Sequence, residues 1–113
     1  MKLDIFNHIF PKTFWDRMLE VVPPAKATDM HKRVREIPCM VDLDERFRIM
    51  DKYGDYAQVI CLPNPPIEVL AGPPVANELA RIGNDGMAEL VRKYPKRFPG
   101  FIASLAMNDP DAM

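Results

Sequence analysis

Tyr56-Ala57-Gln58-Val59-Ile60-Cys61-Leu62 is a mostly apolar, β-rich run of seven residues. Runs of this kind form strands covered on both faces, as in a parallel sheet. Pro63-Asn64-Pro65-Pro66 stops it sharply, because proline cannot extend a ladder. On its C-terminal side, Gly72-Pro73-Pro74 leads into a helix from about Val75 to Tyr94, prolines being well suited to a first helical turn. Leu79, Ile82, Leu90 and Val91 form its buried stripe, Gly83 and Gly86 weaken it locally, and Pro95 closes it. Phe98 to Leu105 reads as the next strand. On the N-terminal side, Asp42 with Glu45 three residues on is a capping pattern. The helix it opens carries Leu43, Phe47 and Met50 on one face and ends near Tyr53, with Gly54 as the stop. Ala25 to Val41, basic in its middle and interrupted by Pro38, reads as a long loop holding one helical turn. Before it, Phe14, Trp15, Met18, Leu19 and Val22 recur at spacings of three and four, a helical stripe ended by Pro23-Pro24. Lys2 to Phe6 forms the first strand and passes into a loop by Pro11. Strands alternating with helices in this order predict βαβ units around a parallel sheet, an α/β fold.

Composition narrows the function classes. The 113 residues are enough for one domain, and 48% apolar with 27% charged is ordinary globular composition. Fifteen Lys and Arg against sixteen Asp and Glu leave a net charge of -1, so electrostatics gives no reason to expect a nucleic acid or an anionic membrane as partner. No apolar run approaches the ~18 residues of a membrane span. Asp4 precedes any apolar stretch, which argues against a secretory signal. Cys39 and Cys61 make neither a CxxC pair nor a disulfide framework, and a reduced cytoplasmic setting is the expectation. Asn108-Asp109-Pro110-Asp111 has the pattern of a helix start. Because the sequence stops at Met113, truncation after the third strand is the expectation, with a frayed tail as the alternative.

Few residues are equipped for chemistry. His8 falls at the C-terminal end of the first strand, where ligands bind in parallel α/β folds. Strand alternation puts Asp4, Phe6 and His8 on one face and Asn7 on the other. His8 is therefore a candidate metal ligand or general base, against the plainer reading of a loop-capping or core histidine. His31 reads as solvated, and Cys61 as a small core residue. Lys32-Arg33-Val34-Arg35 is either a guanidinium clamp for a carboxylate or phosphate, or a solvated basic loop. Nothing marks a nucleophile, and no phosphate-binding glycine motif occurs.

Asp4-Ile5-Phe6-Asn7-His8-Ile9-Phe10-Pro11 resembles the Asp-x-His-x-His opening of the amidohydrolase-related proteins, in the branch of the aminocarboxymuconate semialdehyde and resorcylate-type decarboxylases. Further resemblances follow in order: Arg46-Phe47-Arg48-Ile49-Met50-Asp51, Gln58-Val59-Ile60, Asn84 through Val91, Tyr94 through Phe98, and Asn108 through Ala112. The resemblance implies a TIM-type (β/α)8 barrel of roughly 250 residues, of which residues 1–113 would be the N-terminal portion. It implies a divalent metal, zinc by expectation, held by both histidines of the opening motif together with a later histidine and a late Asp. It also implies decarboxylation or hydrolysis of a small carboxylic acid, with Arg33 or Arg35 contacting the substrate carboxylate. Phe6 stands where the first histidine would be, so only His8 carries over as a ligand. A catalytic zinc takes about three protein ligands, and this chain alone is not expected to hold the metal or to be active. The alternatives are a metal-free pseudo-enzyme and a small α/β binding module that pairs its open edges in a homodimer.

Overall fold

A computed structural model describes residues 1–112. Three parallel strands, β1 (Lys2–His8), β2 (Tyr56–Cys61) and β3 (Gly100–Phe101), form a sheet in the order β1-β2-β3. Between β1 and β2 run α1 (Lys12–Val21), α2 (Pro24–Glu36), a 3-10 turn at Pro38–Met40 and α3 (Leu43–Asp51). Between β2 and β3 run a single-turn α4 (Ile67–Leu70) and the long α5 (Pro73–Lys93).

The largest departure from the sequence reading is α2, where a loop was expected. Pro24 at its first position and Arg33 and Arg35 in its last turn suit the helix ends. Its buried face is only Ala27 and Met30, three residues apart, too narrow a stripe to stand out in the sequence. His31 is not simply solvated: it is half-buried, with its ring edge-on to Trp15 at 5.5 Å. The third strand is shorter than Phe98 to Leu105. Only Gly100 and Phe101 pair with Val59 and Ile60, and Asn84 of α5 takes over beyond, exchanging hydrogen bonds with the Ser104 backbone at 2.8 Å each. At the C-terminal end the expected helix start is a 3-10 turn at Pro110–Ala112.

One core packs α1, α2, α4 and α5 together through Phe10, Phe14, Met18, Met30, Leu70 and Leu79. A second lies between the sheet and α3 and α5, around Ile9, Met50, Ile60, Met87 and Phe98. Gly83 and Gly86 of α5 are points of closest approach. A Cβ at Gly83 would stand 2.8 Å from Leu62, and one at Gly86 would stand 2.6 Å from the Pro11 ring. Leu19, expected on the α1 stripe, is exposed. Helices do not cover the sheet on all sides: Leu3, Ile5 and Phe6 of β1 remain exposed, Phe6 at 81%.

Candidate functional site

The end of β1 is shaped by a bulge. Asp4 pairs with Gln58 and Asn7 with Ile60, so three steps on β1 face two on β2. The bulge overturns the expected alternation, because one extra residue reverses side-chain direction. Asp4 and Asn7 both join the polar network described next, while Phe6 turns its ring edge-on to His8 at 5.3 Å. Backbone groups near the irregularity find side-chain partners. The Asn7 amide donates to the carbonyls of Asp4 and Val59, at 3.2 and 2.8 Å, and the Phe6 N–H donates to Asp4 Oδ1 at 2.9 Å.

Arg46 lies under this bulge, 5% exposed on α3. Its guanidinium donates to the Cys39 carbonyl at 3.0 Å, to Asn7 Oδ1 at 3.3 Å, to Gln58 Oε1 at 2.6 Å and to the His8 carbonyl. Gln58 donates to the Tyr56 hydroxyl, which donates to Asp4 Oδ2 at 3.0 Å. Burial pulls the Arg46 guanidinium below its ordinary pKa, with partial compensation from Cys39, Tyr56 and Asp4. It remains a cation. Sequence reading placed Arg46 only within a family motif. The signal for its role was a long cation on the apolar face of α3, one turn before Met50.

His8 is half-buried at the strand end. Its Nδ1 lies 3.2 Å from the Cys61 sulfur, and that sulfur lies 3.2 Å from the Asn7 carbonyl oxygen. Cys61 is thus a polar neighbour of His8 and not merely core filler, and burial pushes its thiol pKa up. Nε2 of His8 makes no hydrogen bond among the described residues, and no three His, Cys, Asp or Glu side chains among them gather as a metal cluster. His8 therefore fits a metal as one donor, and Phe6 at the other motif position supplies none.

A groove of about 300 Å³ runs from this strand end past Arg46 to Tyr56 at the start of β2, lined by His8, Asn7, Arg33, Arg46 and the apolar Ile37 and Ile49 among others. The groove brings His8 and Arg33 to one cavity. Arg33 donates one Nη1 hydrogen to the Asn64 carbonyl at 2.6 Å, which draws the side chain to the loop after β2. Arg35 is exposed and lies outside the groove.

No protein-family model matches the chain. A gamma-resorcylate decarboxylase of Polaromonas sp. strain JS666 is 38% identical over 90 residues, which is 80% of this chain and 26% of that enzyme. Another, from Rhodococcus jostii strain RHA1, is 30% identical over 102 residues, 90% of this chain and 26% of that enzyme. The chain also superposes on the crystal structure of a dihydroxybenzoic acid decarboxylase from Polaromonas sp. JS666, which holds manganese and the inhibitor 2-nitroresorcinol. The TM-score is 0.65 at 34% identity, over 98% of this chain and 32% of that one. The chain thus spans about a quarter of the length of the curated relatives it matches.

Proposed function

Starting from a chain homologous to the gamma-resorcylate decarboxylases and similar to the N-terminal part of such a barrel, we propose that it supplies the first β/α units of a metal-dependent carboxy-lyase. Its substrate class is the small aromatic carboxylic acid of the hydroxybenzoate kind. The observation that carries this reading is the meeting of His8 and Arg33 in one groove at the end of β1.

Decarboxylation breaks the bond between ring carbon and carboxylate. The bonding electrons stay on the ring carbon, which then takes a proton while CO2 departs. Two tasks fall to this chain. Arg33 binds the anion: with one Nη1 hydrogen committed to Asn64, the rest of its fork is free for a bidentate contact with a carboxylate. His8 presents Nε2 as one metal donor, and Arg46 holds the His8 carbonyl, so the ligand sits on a rigid strand end and not on a free loop. When bound, a divalent metal supplies Lewis-acid polarisation and a fixed point for the substrate oxygens. Manganese in the structural neighbour and zinc in the family resemblance are the two candidate ions, and an imidazole donor accepts either. This reading gives the carboxylate contact to Arg33, since Arg35 is exposed and outside the groove.

Amide chemical-shift mapping of the chain with gamma-resorcylate and the diamagnetic Zn2+ tests this reading. Shifts are expected at Arg33 and Asn64 from the carboxylate and at His8 from the metal, with none at Arg81 and Arg92 on the exposed face of α5, outside the groove. Shifts confined to residues outside the groove, or none at Arg33 and Asn64 at millimolar gamma-resorcylate, would remove the proposed site.

A further inference from the structure

The parallel register sets His8 directly beside Cys61. The thiol has one hydrogen and two acceptors in reach, His8 Nδ1 and the Asn7 carbonyl oxygen, each at 3.2 Å. The two choices have opposite consequences for the imidazole. A thiol hydrogen on Nδ1 makes that nitrogen the acceptor and puts the ring proton on Nε2, where it blocks a metal. A thiol hydrogen on the Asn7 carbonyl leaves the sulfur lone pairs to accept from Nδ1–H, and Nε2 keeps its own lone pair. A histidine that ligates through one nitrogen has its tautomer set by what the other nitrogen donates to.

We propose that Cys61 is a positioning residue for His8. Its thiol donates to the Asn7 carbonyl and accepts from His8 Nδ1–H, so that the ring is held in the tautomer presenting Nε2. This inference rests on the reading of His8 as a metal-binding residue. Two other contacts bear on the placement of the ring: Phe6 stands edge-on to the imidazole at 5.3 Å, and Arg46 grips the His8 carbonyl. With its hydrogen on the Asn7 carbonyl, the sulfur is the acceptor that remains for Nδ1–H. Serine at position 61 keeps an atom that both donates and accepts, whereas valine keeps the approximate volume and neither capacity.

Long-range proton–nitrogen correlation spectra of the 15N-labelled chain read the tautomer directly. With only two histidines in the sequence, His31→Gln assigns the signals. At a pH where the ring is neutral, wild-type His8 is expected to carry its proton on Nδ1, and Cys61→Ser to preserve that state. Cys61→Val should move the proton to Nε2, and in a chimera whose remaining barrel supplies the other ligands it should weaken Mn2+ binding about 10-fold or more. Amide dispersion reports whether each variant is folded. A wild-type proton on Nε2, or a folded Cys61→Val with an unchanged tautomer, overturns the role of Cys61. In that chimera, an Nδ1-protonated His8 whose replacement by alanine leaves Mn2+ affinity unchanged overturns the metal reading beneath it.

Discussion

Arg46→Met removes the cation from the centre of the polar network while keeping an unbranched apolar stem. Gln58 Oε1 and the carbonyls of Cys39 and His8 then lose their donor. A buried acceptor left unsatisfied costs about 1–3 kcal/mol. Gln58 is 9% exposed and should bear the full cost, whereas the half-buried Cys39 and His8 recover part of theirs from water. The opposing term is relief from burying a guanidinium, several kcal/mol in general. In the native state that burial is already offset by four hydrogen bonds. The acceptors are neutral, so the loss is smaller than the ~3–5 kcal/mol of a broken buried ion pair. A net destabilisation of about 1–3 kcal/mol results, a large part of the ~5–15 kcal/mol that holds a domain together. Urea unfolding followed by Trp15 fluorescence reads it as a fall of roughly 1 M in midpoint at unchanged slope. Arg46→Lys, a single ammonium in place of a fork, should fall between the two. An Arg46→Met midpoint equal to or above wild type would refute the view that this network braces the strand end.

Three other perturbations follow from the same packing and charges. Gly86→Ala gains about 0.5–1 kcal/mol of helix propensity but places a Cβ 2.6 Å from the Pro11 ring. Overpacking at about 1–3 kcal/mol wins, so the urea midpoint should fall; a rise would mean that α1 and α5 are not tightly apposed. Asn84→Ala deletes both bonds to the Ser104 backbone and should cost about 1–3 kcal/mol. Faster amide exchange at Ser104 is the local check. The Glu89 carboxyl, paired with Arg92 and Lys93, is held down from 4.5 to about 2. Because the folded value is the lower one, its ion pairs contribute above about 4.5 and are lost as the pH falls towards 2. Carbon-detected NMR titration should find the Glu89 midpoint near the lower figure, and a midpoint at the ordinary glutamate value would mean that these exposed pairs do not persist in solution.

Much of the fold was legible because strong local signals agreed with the tertiary solution. The run at 56–62 bounded β2, and Asp42 accepts a hydrogen bond from the Glu45 N–H as the capping pattern required. The proline-led start of α5 was read to within two residues. Where signals were weak, the reading failed for physical reasons. Helix α2 hides only two side chains, so its period is faint. The bulge between Asp4 and Asn7 depends on pairing with a distant strand, and no local pattern announces it. At the site, His8 was visible as an imidazole at a strand end. Cys61 and Arg46 were not, since each acquires its partners only when β1, β2 and α3 come together. Gly83 and Gly86 looked like helix weaknesses, yet they are where neighbouring elements come closest.

A chimera tests the central claim most directly. Residues 1–112 would replace the matching quarter of the Polaromonas gamma-resorcylate decarboxylase, with CO2 release from gamma-resorcylate measured in the presence of Mn2+. The account predicts turnover that His8→Ala abolishes and His31→Gln leaves intact. A folded chimera that releases no CO2, or one whose turnover survives His8→Ala, would contradict it.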